Sequence, residues 1–475
     1  MMTNTILTAL RNYNNRADLE DLRERVNSGS LRILFEFNSS DTLLYYQHIK
    51  SIFNLKKIVF VNQINNTRAD DIDAVFILCP YDRTDRLKAV SWGIKNQKPI
   101  YVLEAGFISS IYPLSDKESP ISFHVDSTGS LYLDGDGHNE VINYLNSEVN
   151  LDLEQLSLSK KIINLVCENG LSKYNNSTNT NQIKSKGNVL IIDQTLNDFS
   201  ITLAEASQER FQEMVDTAIS TYPDKQIYIK IHPEVLSGSR KGNIFLENYM
   251  FRSGVHILAE PILINELFKS FDIVFTVSST LGFEALLYGK EVHCFGKTFY
   301  GGWGLTVDHV KYKNRSRTRP IEDLVYALYV RSNFYVNVET GNNDLALPSI
   351  ISFVDLIGQY RKISKILDYQ LSSLKAQFSV LQKEIKITQT KLSSLSANNI
   401  SKSNLPILEA VVPKKEPAID KKKPTKKNNF SIEDKFIKCL VDERRYNKYK
   451  RDRDAFFEDS SNIVFKLYWK FLKRH

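Results

Sequence analysis

Four cysteines are all that the 475 residues contain. Cys79, Cys167, Cys294 and Cys439 are too far apart to fall at any paired metal-ligand spacing, so they read as reduced, mostly buried thiols and not as a disulfide framework. Long apolar runs are missing too. Nothing approaches the about 18–20 residues that a spanning helix needs, which argues against an integral membrane protein. The first stretch, MMTNTILTALRNYNNRADLEDLRERV, carries acids early and no apolar core of signal-peptide length, so no export signal and a cytoplasmic location are expected. Net positive charge is lacking outside one region: the formal net charge is +7, and the excess falls mainly after Lys414 and in the last turns. That distribution favours a tail meeting an anionic surface over a domain built around nucleic acid. What is present is 42% hydrophobic and 25% charged, enough to bury a large core in more than one domain.

From Leu31 to about Asn146, short apolar runs alternate with amphipathic ones. LRILFEF, KKIVFVN, DAVFILCP and KPIYVLEAG read as strands, and TDRLKAVSWGIKNQ between two of them as a helix. After the asparagine-rich SKYNNSTNTNQIKSKG the rhythm resumes: GNVLIIDQ, QIYIKIHP, VHILAE, DIVFTVSS and EVHCFG as strands, with QERFQEMVDTAISTYP, ILINELFKSF and TLGFEALLYG as helices. The spacing predicts an α/β protein of two Rossmann-like domains, 1–150 and 151–350, facing a cleft whose chemistry lies just beyond the strand ends. From Tyr360 to Leu395, apolar residues at alternating three and four spacings predict a coiled coil within 351–400 and, through it, a homo-oligomer. A lysine- and proline-rich linker follows at 401–430. The segment 431–475 then mixes aromatic residues with Lys and Arg, as suits a helix lying on an anionic membrane surface. The lysine run is read as a solvated linker, with no nucleic-acid partner.

Three stretches carry candidate chemistry. In FTVSSTLGFEALLYGKEVHCFGKTFYGGWGLTVD a strand ends at Val277, Ser278 to Gly282 are expected as a turn, and Phe283 to Tyr288 as a helix. The helix start and the hydroxyls of Ser278, Ser279 and Thr280 suit an anion such as phosphate, and Glu284 one turn in suits a ribose hydroxyl; a plain Ser or Thr N-cap is the structural alternative. In KIHPE, Lys230 adds charge at a strand end and His232, stiffened by Pro233, is placed to donate to a leaving phosphate. In IIDQTLNDFSI, Asp193 and Asp198 both follow a strand, where a carboxylate can attack an anomeric carbon, although Asp198 can also simply N-cap the next helix. DGDG at Asp134 to Gly137 looks like a metal-binding Asp-x-Asp but reads better as a tight turn.

Taken together, these stretches resemble the bacterial capsule and O-antigen retaining β-Kdo transferases. The resemblance runs from about Lys98 to Val330 through LEAGFISS, PISFHVDSTGSLYLD, GLSKYN, DQTLNDFSI, KIHPE, SSTLGFEALLYG, FYGGWGLTVD and RSRTRPIEDLV. It departs at Ala105, where the capsule enzymes usually show aspartate. The resemblance implies a GT-B-like fold with an acceptor-side first domain and a CMP-sugar-binding second one. It also implies β-Kdo transfer from CMP-β-Kdo, without metal or cofactor, by double displacement onto a lipid-linked polysaccharide at the inner face of the cytoplasmic membrane. On that pattern Asp198 matches the nucleophile, Glu104 the acid/base for the acceptor, and His232, Ser278 and Ser279 the groups on the CMP phosphate. Gln194, Lys230, Pro233, Thr280, Glu284, Tyr300, Gly301, Gly302 and Trp303 match substrate contacts. Two rivals stay open: a CMP-sialic acid transferase, which would also pair a His-Pro with a serine motif, and a non-catalytic scaffold of a polysaccharide assembly complex.

Overall fold

The computed structural model describes residues 5–367, apart from 14–17, 38–47, 79–81, 112–119, 128, 131–138, 176, 178–182, 184–186, 237, 239, 261 and 337–348, together with positions 370, 374 and 387. The chain divides into two compact units, Met1–Ser364 and Lys365–His475, and both sheets lie in the first. Most of the expected coiled coil, the linker, the basic tail and the DGDG turn lie outside the described residues.

The first sheet contains β1 (Arg32–Phe35), β2 (Lys57–Phe60), β3 (Ala74–Leu78), β4 (Ile100–Ala105), β5 (Ser122–Asp126) and β12 (Asn333–Tyr335), in the order β12-β5-β4-β3-β1-β2. Strands β1 to β4 run parallel; β5 is antiparallel to β4, and β12 to β5. The second contains β6 (Asn188–Ile192), β7 (Ile227–Lys230), β8 (Val255–Leu258), β9 (Phe271–Thr276), β10 (Glu291–Cys294) and β11 (Val307–Asp308). Its order is β11-β10-β9-β6-β7-β8, and every pair is parallel. The expected α/β architecture with two parallel-rich sheets is therefore present, and every strand and helix named above from its pattern is found. The β3 run AVFIL and the β6 run NVLII are buried at every position, which is why they read as continuous apolar runs instead of alternating ones.

The helices are α1 (Thr5–Asn12), α2 (Leu19–Ser28), α3 (Ile49–Ile52), α4 (Thr84–Lys95), α5 (Glu140–Asn146), α6 (Leu153–Asn169), α7 (Phe199–Leu203), α8 (Gln208–Thr221), α9 (Pro233–Leu236), α10 (Ile264–Ser270), α11 (Thr280–Leu287) and α12 (Ile321–Val325). One apolar cluster on the first sheet joins Leu22, Phe53, Phe76 and Phe123. A second joins Ile6, Val75, Val90 and Val102, and the second sheet has its own around Phe211, Ile229 and Phe275. No helix among the described residues is long and apolar enough to cross a membrane.

A division of the chain at residue 150 does not follow the sheets completely. After α12 and a π-helical turn, Tyr326–Arg331, the chain returns to the first sheet as β12. The crossing is held by Arg23, whose Nη2 donates to the carbonyls of Val330, Arg331 and Asn333 at 2.5, 2.7 and 3.2 Å. Helix α6 has its own signals. Asp152 and Gln155 form a reciprocal capping box, and Gly170 (φ +56°) ends the helix where a Cβ would lie 2.9 Å from the Asn265 side chain. That stop launches the segment Leu171 to Asn175 toward the cleft.

Candidate active site

In the second sheet β6 lies between β7 and β9, so the winding reverses at β6 and leaves a crevice beyond its carboxyl end. The loops after β6, β7 and β9 carry Asp193 to Asp198, His232 and Ser278. Gln194 spans the crevice: its Oε1 accepts from the Ser278 N–H at 2.9 Å and its Nε2 donates to Ser278 Oγ at 3.0 Å. Gln194 and Ser278 are both buried and hold each other, so they fix two loops in register.

The two aspartates separate clearly. Asp193 is buried, and its Oδ1 accepts from the N–H groups of Gln194, Asn243 and Ile244 at 2.9, 3.1 and 3.3 Å. Burial pushes it up to about 6 against the pull of those donors. Its carboxylate ties the loop to the chain at Asn243. Asp198 is half-buried and N-caps α7, with Ser200 N–H at 2.9 Å and Ser200 Oγ at 2.8 Å both on Oδ1. The capping role is thus real, and it leaves Oδ2 outside the cap.

His232 Nδ1 accepts from the Glu234 N–H at 3.2 Å, an arrangement that places the ring proton on Nε2. Burial lowers its pKa, while Glu234 and Asp198 pull it up and Lys230 and Arg240 push it down, so Asp198 and His232 share one electrostatic neighbourhood. Lys230, half-buried, is itself lowered by burial. Pro233 opens α9, where a missing N–H costs nothing.

The serine segment differs from the expected turn. Helix α11 begins at Thr280, where the TLGFEALLYG pattern starts and three residues before the narrower Phe283 to Tyr288 reading, because Ser279 is its N-cap: Ser279 Oγ accepts from the Leu281 N–H at 3.3 Å. The Ser279 carbonyl receives the Tyr300 hydroxyl at 2.7 Å. Tyr300 and Trp303 are fully buried, and Trp303 Nε1 donates to the Phe299 carbonyl at 2.9 Å. Their polar atoms are spent on the backbone, so they buttress α11 and its cap rather than offer groups to a ligand. Gly301 and Gly302 lie against Tyr312, where a Cβ would come within 2.0 Å of its hydroxyl oxygen and 2.8 Å of its ring, respectively. Thr280 is half-buried at the first helical position.

The first sheet contributes Glu104, at the end of β4 and 7% exposed. Burial pushes it up to about 7; the Ser130 hydroxyl, which donates to its Oε1, and Lys173 pull it down, while Asp126 and Asp198 push it further up. Ser130 and the Leu171–Asn175 segment had no assigned role in the sequence reading, although both lie in its landmarks STGS and GLSKYN. Lys173 takes Ser109 and Ser110 N–H groups on its carbonyl at 3.2 and 3.3 Å, and gives its own N–H to Glu284 Oε1 at 3.0 Å. Ser172 Oγ meets the two Glu284 oxygens at 2.9 and 3.1 Å. Glu284 is buried and is pushed up to about 7 by burial, with Lys173 and Ser172 opposing. Phe107, just after Glu104, packs edge-on against Phe283 of α11 and against Phe299, with ring centroids 5.4 and 5.6 Å apart.

Two parallel-rich sheets, the second with a polar crevice where its winding reverses, define an α/β protein of the doubly wound class. The chain belongs to the capsule polysaccharide biosynthesis protein family, whose model matches residues 75–341. It is 31% identical over 266 residues to the capsule polysaccharide modification protein LipA of Neisseria meningitidis serogroup B, covering 54% of this chain and 37% of LipA. It is 29% identical over 253 residues to the lipopolysaccharide-processing protein LpsZ of Rhizobium meliloti, covering 52% of this chain and 57% of LpsZ. The matched chain thus spans only part of the length of these relatives. Among solved structures, the beta Kdo 2,4 transferase of Thermosulfurimonas dismutans KpsC superposes with a TM-score of 0.60 at 29% identity, covering 68% of this chain and 98% of that one.

Proposed function

We propose that this chain is a retaining glycosyltransferase that moves β-Kdo from CMP-β-Kdo to a surface polysaccharide. The observation that carries the reading is the crevice beyond β6, where Asp198 keeps Oδ2 outside its cap beside the Gln194–Ser278 tie, the Nε2–H of His232 and the capped start of α11. The likeness to a solved Kdo transferase supports the sugar. In the first step Asp198 Oδ2 attacks the anomeric carbon, the bond from that carbon to the phosphate oxygen breaks, and CMP leaves with the electron pair. His232 Nε2–H and the α11 start stabilise the departing phosphate. In the second step the acceptor hydroxyl attacks the same carbon, Glu104 takes its proton, and Asp198 leaves as a carboxylate. Two inversions restore the β configuration.

Asp198→Ala confounds chemistry with a lost cap, worth about 1 kcal/mol. Asp198→Asn keeps the cap and removes the nucleophile. We expect transfer below detection in Asp198→Asn at unchanged melting temperature, and a Kdo adduct on Asp198 in the wild type by intact mass. Full activity in that variant would sink the assignment.

The acceptor we propose is lipid-linked, and the basic aromatic tail is proposed to meet the anionic leaflet, with each cation contributing on the order of 1 kcal/mol. Flotation with anionic vesicles should retain the full chain at low salt and release it at high salt. Binding that ignores salt and lipid charge would remove the tail from this role.

A further inference from the structure

The helix over 349–367 packs on the first unit by a stripe at three and four spacings: Ile350, Phe353 and Ile357 are buried, and the next position of the stripe is Arg361. Its guanidinium meets no carboxylate among the described residues. Nη1 donates to the Asn169 carbonyl at 2.6 Å and Nη2 to the Gly170 carbonyl at 3.0 Å, while Nε is buried without a hydrogen-bond partner. Both carbonyls belong to the end of α6, where a helix gathers its unpaired acceptors and its partial negative charge. The fork therefore fixes two consecutive peptide groups at the point where α6 stops. Gly170 is itself packed against the Asn265 side chain, and the Leu171 N–H bonds back to Val166 at 2.9 Å. Directly beyond that stop, Ser172 Oγ and the Lys173 N–H donate to Glu284 of α11 at 2.9 and 3.0 Å. The Asn175 N–H reaches the Ile111 carbonyl, after β4, at 2.8 Å. With Leu171 alone between Gly170 and Ser172, a displacement of the α6 end has almost no chain in which to be absorbed before it reaches the donors of Glu284.

We infer that Arg361 is a positioning residue for the cleft: by clamping the last carbonyls of α6 it sets the strap Leu171–Asn175, and with it the two donors that hold Glu284. The last helix of the first unit is thereby wired to α11. The inference rests on the transferase reading above for its choice of ligand, CMP, because the family resemblance matches Glu284 to a substrate contact.

The test uses the full chain and two measurements, hydrogen exchange and calorimetry with CMP, on the wild type, Arg361→Met, Arg361→Lys, Glu284→Gln and the Arg361→Met/Glu284→Gln double variant. We expect the Ser172 and Lys173 amides to exchange faster in Arg361→Met while those of β6 and β9 keep wild-type rates. CMP should bind about fivefold more weakly to Arg361→Met, and Arg361→Lys, which keeps the charge but not the fork, should recover part of that loss. In the Glu284→Gln background Arg361→Met should cost less than about twofold, because the carboxylate it positions is already gone. Wild-type exchange at Ser172 and Lys173 in a folded Arg361→Met overturns the inference. So does an equal loss of CMP affinity with and without Glu284, which would make Arg361 a general support of the fold. If Arg361→Met does not fold, Arg361→Gln, which can serve one carbonyl without the charge, carries both comparisons and is judged by the same outcomes. A wild type that does not bind CMP overturns the transferase reading instead and leaves the exchange comparison to decide on Arg361, so the two failures are distinguishable.

Discussion

Glu104 and His232 show how burial assigns protonation at the residue scale. Both are driven toward their neutral forms, but with opposite consequences. His232 keeps Nε2–H as a donor because Nδ1 is occupied by the Glu234 N–H, so its neutral ring can still support a leaving phosphate. Glu104, pushed up to about 7, must lose its proton to act as a base. The sign follows: the transfer half-reaction should rise with pH along a limb centred near 7 and level off above it. Labelling of Asp198 by donor does not need that base and should lack the limb. Glu104→Gln should therefore cost about 10²–10⁴-fold in transfer, remove the limb and let the adduct accumulate. Stopped-flow mass measurement across pH 5 to 9, about the window around that value, checks it. A limb that persists in Glu104→Gln would place the base elsewhere.

Among the elements, the strands and the central helices were legible because they are buried on both faces or amphipathic with a clear period. The division of roles among the hydroxyls before α11 was not. Ser278, Ser279 and Thr280 offer three equivalent hydroxyls in sequence, and only the tertiary ties decide among them: Gln194 takes Ser278, which leaves Ser279 to cap. The same competition hid the division between Asp193 and Asp198, since the donors that claim Asp193 come from Asn243 and Ile244, some fifty residues away. Tyr300 and Trp303 match substrate contacts only through the resemblance, and no local pattern shows that their side chains are buried with their polar atoms on backbone carbonyls. Lys173 was hidden in the same way. Nothing local marks a lysine after a helix stop as special until β4 and α11 close around its backbone. β12 was invisible as a member of the first sheet because a three-residue strand carries no period of its own.

At the scale of the whole first unit, the two sheets are useful only if the cleft between them keeps its geometry, and the connections are where that is decided. One is the Phe107, Phe283 and Phe299 cluster with Tyr329 at 5.5 Å from Phe107. Another is Arg319, 5% exposed and lying in the landmark RSRTRPIEDLV. Its guanidinium donates to the carbonyls of Leu145, Ser147 and Val149 at 2.6, 2.5 and 3.1 Å and pairs with Asp323 at 3.1 Å. It pins the connector after α5 to the start of α12, next to the return toward β12. Asn146, through the Asn314 carbonyl at 2.7 Å, repeats the tie. A lysine cannot reproduce a fork that serves three carbonyls and a carboxylate, and methionine leaves Asp323 buried without its partner. We expect Arg319→Met to lose about 3–5 kcal/mol, a fall on the order of 10 °C in melting temperature, with Arg319→Lys only partly better. Hydrogen exchange should quicken across residues 145–150 in both variants before it changes in β6 or β9. CMP binding measured well below the transition should persist, because the crevice at β6 is built within the second sheet, whereas transfer, which needs Glu104 from the first, should fall. Unchanged melting and exchange would show that the other connections set the cleft and that Arg319 is dispensable to it.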